Sequence, residues 1–489
     1  MSPGMRKSSA ATAFVWALLP VIALAQDART TIEDATKAIG AVGLTSITYS
    51  GAAATANFGQ SRTISFGLSS TSVRGYTRTI DFAQPAARTT GATMPPAVRG
   101  GPPPQPGTLD QSITAATPEW AQQMQIWLTP WGFLRGAAAN AATVRSRKIE
   151  GETYRVVTWS PAQKAPSGQS YKVVGYLNSA NIVERVETWV EHPILGDMHV
   201  EFRYSEYRDF GGLKVPTRIA QRQVGMETFV AAIDAAVANP PNLQQLMTAP
   251  VSGGIAPGPG RGAHAPPQAP PPVASEKLAD GVYRITGGYV ALAVEFKEYV
   301  VVLEGGQNEP RGLAILAETK RLFPNKRIRY VVNSHPHFDH AGGLAPFAAE
   351  GITILTDDNN KYFLENALGS PRTLDGDVLA KSGKKPKVEG VIEKMVIKDE
   401  AHSLELHHVM NLDHSDGMLI AYLPKERLLF TADFAVPAPA QPVSPSIATL
   451  VSNIERLQLD FDRHIPVHTP NPDRTVTKGD LIALAKGAH

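Results

Sequence analysis

The sequence predicts an α/β fold in its C-terminal part, preceded by a mainly antiparallel β domain of the α+β class. Beyond about residue 277, short apolar runs typical of strands alternate with helical patterns, as expected of an α/β sheet covered by helices. Before residue 239, alternating and apolar runs follow one another through turn sequences, which favours hairpins. Proline-rich sequence separates the two parts, and such segments do not pack into a core.

The length and composition indicate a globular protein with more than one domain. The chain has 489 residues, and domains of ~100–200 residues predict two or three of them. Its net charge is +2, with lysines and arginines scattered among acids, so no nucleic-acid partner is expected. Cysteine is absent, which excludes disulfides, a cysteine nucleophile and thiolate metal ligands.

Residues 1–25 have the pattern of a secretory signal peptide. Arg6 and Lys7 form a positive start, residues 10–24 an apolar core, and Ala23-Leu24-Ala25 a cleavage pattern of small residues. A membrane anchor is the alternative, but the apolar run is shorter than the ~20 residues of a comfortable span. We therefore expect cleavage near Ala25, a periplasmic or secreted bacterial protein, and no stable membrane anchor.

Residues 26–239 are predicted to form the β-rich N-terminal domain. Residues 171–177 and 182–190 form a hairpin pattern, and residues 199–207 alternate between apolar and polar side chains. Residues 94–106 form a proline-rich insertion. The arrangement weakly resembles the half-barrel domains of bacterial lipoprotein carriers, which implies a lipid or other hydrophobic ligand. Trp120, Met124, Trp127 and Trp131 have near-helical spacing, which is more typical of a core than of a ligand platform.

Residues 240–276 are predicted to be a Pro/Gly-rich linker, and residues 277–489 a second domain. In this domain, strand patterns at 281–285, 290–296 and 299–303 precede a helix at 311–322. A strand at 328–332, a helix near 344–350 and a strand at 353–355 follow. The loop 360–387 is a candidate wall of a binding pocket.

Histidine is concentrated in the C-terminal domain. Ten of the thirteen histidines lie at or beyond His335, and three of them fall within the run His335-Pro336-His337-Phe338-Asp339-His340. The run directly follows the apolar strand pattern, in the kind of loop where a rigid scaffold presents functional side chains. Gly342-Gly343 allows close backbone approach after it. Imidazole and carboxylate groups at this spacing predict a metal site.

This run is the HxHxDH motif of the metallo-β-lactamase superfamily, which the C-terminal domain resembles. The resemblance implies an αββα sandwich and identifies further ligands at matching positions. His414 precedes the strand pattern 418–423, Asp433 ends the pattern 428–432, and His468 follows an apolar run.

The resemblance implies a site for two divalent metal ions, expected to be Zn²⁺, with Fe and Mn as the alternatives. Metal one is assigned to His335, His337 and His414, metal two to Asp339, His340 and His468, and Asp433 bridges. A hydroxide shared by two ions ~3.5–4 Å apart is the expected nucleophile. Asp339 would be the catalytic residue that orients it and moves its proton. Glu304, where the superfamily usually has Asp, would be an acceptor behind a ligating histidine.

Several positions leave alternatives open. His464 competes with His468 for the last ligand position, and Asp433 has a second interpretation as a turn residue or helix cap. His402, His407 and His408 lie on an alternating pattern and are expected to be exposed or satisfied by hydrogen bonds.

The resemblance implies a metal-dependent hydrolase acting on an ester, thioester, lactone or amide of a small-molecule substrate. No Gly-x-Ser-x-Gly motif is present, which argues against a serine hydrolase. One alternative is an iron-dependent oxidoreductase on the same fold. Another is a lipid- or hydrophobic-ligand-binding protein with a subsidiary metal domain. The sequence leaves the substrate and the oligomeric state open.

Overall fold

The computed structural model describes residues 19–63, 68–96, 104–248, 272–438, 441, 443–470 and 472–487. Most of the predicted signal segment lies outside these ranges, as do residues 97–103 of the predicted insertion and 249–271 of the predicted linker. No helix in the described ranges has both the length and the apolar character to cross a membrane.

The N-terminal domain is built on one eleven-stranded sheet, in the order β4-β3-β2-β1-β11-β10-β9-β8-β7-β6-β5. Every neighbouring pair is antiparallel. Its strands are β1 (Ser46–Ala56), β2 (Ser70–Asp81), β3 (Ala86–Met94), β4 (Gly107–Ile113), β5 (Thr143–Ile149), β6 (Glu152–Trp159), β7 (Val173–Leu177), β8 (Val183–His192), β9 (Gly196–Phe210), β10 (Leu213–Gln223) and β11 (Met226–Ala238). The predicted hairpin at 171–190 is therefore present as β7 and β8.

Helices pack on this sheet and bury its aromatic core. They are α1 (Leu19–Ala38), α2 (Trp120–Trp127), α3 (Pro130–Ala139) and α4 (Leu243–Thr248). Trp120, Met124 and Trp131 are buried, as expected for a core. They lie on two helices, because the Thr129 side chain caps a new helix by accepting from the Gly132 amide.

The C-terminal domain contains two sheets, of seven and five strands. The seven-stranded sheet consists of β12 (Ala274–Ala279), β13 (Val282–Thr286), β14 (Ala291–Glu295), β15 (Tyr299–Leu303), β16 (Arg327–Val332), β17 (Thr353–Asp357) and β18 (Lys387–Val391). The five-stranded sheet consists of β19 (Lys394–Lys398), β20 (Ser403–His408), β21 (Leu419–Leu423), β22 (Leu428–Thr431) and β23 (Arg463–Pro466). Strands β15 to β18 are parallel, as are β22 and β23.

The two sheets pack face to face, with helices on their outer faces. Val301 and Leu303 of β15 share a core with Phe430 of the second sheet. Val300 and Val302 pack instead with helix residues such as Phe347, as the twofold repeat of a strand requires. The helices are α5 (Glu309–Leu322), α6 (Phe338–Ala341), α7 (Leu344–Glu350), α8 (Asp358–Gly369), α9 (Val378–Ser382), α10 (Pro445–Arg456) and α11 (Lys478–Ala485). The αββα fold class is confirmed.

Two segments differ from the expectations. The predicted linker 240–276 includes α4 and the first residues of β12, while the domain boundaries themselves stay a prediction. The segment 360–387 was expected to be a loop and is largely helical, in α8 and α9. Asp357 and Asp377 cap these helices by accepting from the amides of Asn359 and Ala380, a stabilising contact that offsets their weak periodicity.

The segment between α8 and α9 joins the two domains. Arg372 forms a buried ion pair with Asp377 at 2.5 Å and donates to the Ile194 carbonyl at 3.1 Å. Asp197 accepts from the Leu374 amide at 2.9 Å. These contacts hold the turn between β8 and β9 against the C-terminal domain.

Candidate metal centre

The strand ends of both C-terminal sheets meet where the HxHxDH run lies. Leu303 and Val332 are paired in the parallel strands β15 and β16, so Glu304 and the run after β16 leave the same edge. Thr431 and Pro466 are paired in β22 and β23. Asp433 lies two residues after Thr431, and His468 lies two residues after Pro466. The pairing of these strands therefore brings the two side chains together.

Close backbone contacts fix the loop that carries the run. The His340 amide donates to the His337 carbonyl at 2.9 Å, and the Gly343 amide donates to the Gly306 carbonyl at 2.8 Å. A Cβ on Gly343 would lie 2.1 Å from the Gly305 carbonyl oxygen. Only glycine fits this approach, so the Gly342-Gly343 pair has the packing role that its sequence suggested.

The first ligand group consists of His335, His337, His414 and Asp433, whose donor atoms all lie within 4.8 Å of one another. The Nε2 atoms of His335 and His414 are 3.3 Å apart. His414 Nε2 lies 2.7 Å from Asp433 Oδ2. Three of these residues are the predicted ligands of metal one.

The second ligand group consists of Asp339, His340 and His468. The Nε2 atoms of His340 and His468 are 3.3 Å apart. Asp433 Oδ1 lies 2.6 Å from His468 Nε2 and 2.9 Å from His340 Nε2. Asp433 thus directs one carboxylate oxygen at each group, which is the position of a bridging ligand.

The residues fit divalent metal ions. Two nitrogens ~2.0–2.1 Å from one tetrahedral zinc ion lie roughly 3.3–3.4 Å apart, and both histidine pairs have this separation. The His337 Nδ1 atom is buried and lacks a hydrogen-bond partner, as expected of a nitrogen that faces a cation. Imidazole and carboxylate donors suit zinc, iron or manganese.

Hydrogen bonds behind three histidines orient their rings. His337 Nε2 donates to the Ser61 carbonyl at 3.0 Å, and His340 Nδ1 lies 3.0 Å from Glu304 Oε2. His335 Nδ1 lies 3.0 Å from the Ser334 hydroxyl. Each contact leaves the opposite ring nitrogen toward the ligand group.

Burial favours the neutral form of two imidazoles in the first group. Burial lowers the pKa of His335 far below its usual value, and the histidines around it act in the same direction. Burial together with His414 lowers the pKa of His337 to about 4. Neutral imidazole is the form that binds a metal ion.

In the second group, neighbouring carboxylates favour the protonated form of His340. Burial disfavours the charged form of His340, but the carboxylates of Glu304 and Asp433 outweigh it and raise the pKa of His340 to about 10. Burial opposes ionisation of Asp433 as well, yet the surrounding imidazoles lower its pKa far below the usual range.

Asp339 has two hydrogen-bond donors that sequence reasoning did not identify. The Tyr289 hydroxyl donates to Asp339 Oδ2 at 2.9 Å, and the Gln60 amide donates to Oδ1 at 2.6 Å. Burial by itself would raise the pKa of Asp339. His340 and these two hydrogen bonds outweigh burial, so the pKa of Asp339 is lowered overall. Nothing in the sequence pattern marks Gln60, which is 279 positions from Asp339.

The remaining histidines have other partners. His464 is buried in β23 with Nε2 at 2.8 Å from the Thr431 hydroxyl, and burial lowers its pKa to about 3. It belongs to neither ligand group among the described residues, so the geometry favours His468 over His464. His402, His407 and His408 face Glu426, Glu405 and Asp357 at 2.8, 2.9 and 2.6 Å.

Residues 286–474 match the family model of the metallo-beta-lactamase superfamily. The C-terminal domain is therefore a metallo-β-lactamase-superfamily domain, as its HxHxDH motif predicted.

A curated relative is the 2,4-dinitroanisole O-demethylase subunit alpha of a Nocardioides species, 25% identical over 205 residues. The match covers 40% of this chain and 58% of the relative, so the chain spans less than two thirds of that protein. Solved structures of metallo-β-lactamases are also similar. The enzyme from Pontibacter korlensis has a TM-score of 0.34 at 15% identity, covering 44% of this chain and 99% of its own. The enzyme from Hirschia baltica has a TM-score of 0.33 at 18% identity, covering 44% and 98%.

Proposed function

We propose that the C-terminal domain is a hydrolase that uses two divalent metal ions, most simply zinc. The observation that supports it best is the convergence of seven donor side chains into two groups that share Asp433. His335, His337 and His414 would hold one ion, and Asp339, His340 and His468 the other. When bound, such a pair supplies a hydroxide at neutral pH and polarises the bond to be cleaved.

Asp339 and its hydrogen-bond partners would then position the attacking water and transfer its proton. The hydrogen bonds from Tyr289 and Gln60 hold the Asp339 carboxylate from both of its oxygens. Since its pKa is lowered, Asp339 is ionised at neutral pH. We assign it the catalytic role of accepting the proton of the attacking water and passing it to the leaving group.

The substrate class follows from this chemistry. An attacking hydroxide suits an electrophilic acyl carbon whose leaving group can take the proton that Asp339 would pass on, as in an ester, thioester, lactone or amide. The name of the curated relative suggests a further substrate class, the aryl methyl ethers. Hydroxide can displace the methoxy group from an activated aromatic ring. We expect a small-molecule substrate and a periplasmic or secreted location after cleavage near Ala25.

The test is an activity screen of the full chain loaded with zinc, manganese or iron. It includes β-lactams, lactones, thioesters, aryl esters and 2,4-dinitroanisole. We expect a chelator to abolish turnover and added metal to restore it. His337→Ala should be inactive, whereas His199→Gln, which alters a histidine of β9 outside the ligand groups, should keep full activity. Undiminished hydrolysis by His337→Ala would refute the assignment.

An iron-dependent oxidoreductase is the second candidate, favoured by the demethylase relative. The two reactions on an aryl methyl ether differ in their products. Hydrolysis releases methanol and needs no oxygen, whereas oxidative demethylation consumes O₂ and releases formaldehyde. Formaldehyde formation, together with iron in the purified protein, would establish the redox reaction in place of hydrolysis.

A cavity in the N-terminal domain favours binding of a hydrophobic ligand as an additional function. Its volume is about 420 Å³, and Trp120, Trp127 and Trp159 line it. Ala139 also lines it, whereas the neighbouring Ala138 does not. Palmitate should quench tryptophan fluorescence in the wild type and in Ala138→Phe, but not in Ala139→Phe. Equal quenching in all three would contradict binding at this cavity.

A further inference from the structure

A segment of the N-terminal domain lies against the ligand groups of the C-terminal domain. This segment, residues 57–63, follows β1 and is called the strap. It includes a single 3₁₀ turn, Phe58–Gln60, capped by the Asn57 side chain, which accepts from the Gly59 amide. The strap therefore has its own local structure where it reaches the candidate metal centre.

The strap contacts the loop that carries the HxHxDH run. The Phe58 ring packs edge-on against Phe338 with centroids 5.6 Å apart. A Cβ on Gly59 would lie 2.4 Å from the Phe338 ring, so glycine permits this approach. Phe338 lies between His337 and Asp339, and its packing therefore fixes one ligand of each group.

The strap also contacts the loop that carries His414. Arg62 lies 3.0 Å from Asp413 and 2.9 Å from Asp416. The Asp416 amide donates to the Arg62 carbonyl at 2.9 Å. The ion pairs are half-exposed and contribute little free energy, but the backbone hydrogen bond fixes the distance between the two segments.

Two hydrogen bonds from the strap reach ligands directly. The Ser61 carbonyl accepts from His337 Nε2, which keeps the proton on that nitrogen and leaves the lone pair of Nδ1 for a cation. The Gln60 side chain donates to Asp339 Oδ1, leaving Oδ2 with the Tyr289 hydroxyl. One strap thus orients a member of each ligand group.

We propose that the strap is part of the metal centre, with Gln60 and the Ser61 carbonyl as positioning groups that set the affinity for the two ions. The N-terminal domain then has a role in the chemistry of the C-terminal domain, besides any ligand of its own. This inference deepens the proposed function and rests on it for the presence of metal. It concerns affinity and geometry, so its failure is separable from failure of the hydrolase assignment.

The test measures metal binding by the full-length protein in competition with a chromophoric chelator. Gln60→Leu keeps the size of the side chain and removes its donor. Removing a group behind a ligand typically lowers metal affinity 10–100-fold. We expect about a tenfold or greater loss for one ion in Gln60→Leu and less than a threefold change for the other. Gln111→Leu, on the exposed edge strand β4, is the matched control and should bind both ions normally.

A second variant acts on the whole strap. Gly59→Val places side-chain atoms where Phe338 lies and should weaken both ions. The ligand-field absorption of the cobalt-substituted protein should change in both variants, which a merely structural role of Gln60 would not cause. If Gly59→Val fails to fold, Gln60→Leu alone decides.

The outcomes separate the two proposals. Wild-type affinity for both ions in folded Gln60→Leu would overturn the strap proposal and leave the hydrolase assignment intact. Weakened binding in the variants, with no turnover of any substrate by the wild type, would support the strap and contradict the hydrolase. A wild type that binds no metal would overturn both.

Discussion

The two ligand groups share Asp433 but differ in the hydrogen-bond acceptors that contact the outer ring nitrogens of their histidines. Behind the first group are neutral acceptors, the Ser334 hydroxyl and the Ser61 carbonyl. Behind the second is a buried carboxylate, Glu304, at 1% exposure. A carboxylate makes the imidazole more basic than a neutral acceptor does. The two ligand groups therefore differ in proton affinity, so metal binding by the second group should depend more strongly on pH than metal binding by the first.

The largest effect is expected at the shared ligand. Asp433→Ala removes an oxygen from each group and leaves the buried imidazoles without their carboxylate. Both ions should bind at least 100-fold more weakly, and activity should be lost, as measured by metal content after dialysis and by turnover. Asp462→Asn, which alters an exposed carboxylate paired with Arg427, is the control. Retention of both ions by Asp433→Ala would show that the groups do not share this residue.

The hydrogen-bond acceptors of His340 and His335 should contribute unequally to metal affinity. Glu304→Gln replaces a charged acceptor of His340 and should weaken the second ion about 10–100-fold. Ser334→Ala removes a neutral hydroxyl beside His335 and should weaken the first ion less than about tenfold, because hydrogen bonds to neutral groups contribute less. Stepwise metal titration distinguishes the two ions. Equal losses in the two variants would remove the proposed difference between the groups.

The smallest effect is a difference in proton release. With a pKa of about 10, His340 carries a proton at pH 7.5 that the second ion must displace. In the first group, burial keeps the imidazoles of His335 and His337 neutral. Calorimetry in two buffers of different ionisation enthalpy should therefore show more protons released by the wild type than by Glu304→Gln, because Glu304 is one of the two carboxylates that raise the pKa of His340. A proton lost from water is common to both proteins and cancels. The difference should vanish as the pH rises above about 10, and its absence at pH 7.5 would contradict a charged His340.

The sequence alone was sufficient for the fold class, and it singled out the side chains that the structure brings together in the two donor groups. Strand and helix periodicity is a local property, and the alternation beyond residue 277 indicated an α/β domain, whose αββα arrangement the resemblance carried by the HxHxDH run implied. The HxHxDH run has four ligand candidates within six residues, and His414 and Asp433 lie beside readable strand patterns. Such groups are close in space because they are close along the chain or at strand ends. Whether metal binds there stays a prediction.

Tertiary structure decided the rest, because register and packing join residues that are distant in sequence. The pairing of Thr431 with Pro466 places His468 in the site and leaves His464 with a hydroxyl partner. Side-chain caps at Asp357 and Asp377 made helices of a segment whose pattern resembled a loop. The strap is the clearest case, since Gln60 contacts Asp339 only because the eleven-stranded sheet packs against the C-terminal domain. Composition and periodicity do not predict that contact, whose geometry depends on how the two domains pack against each other.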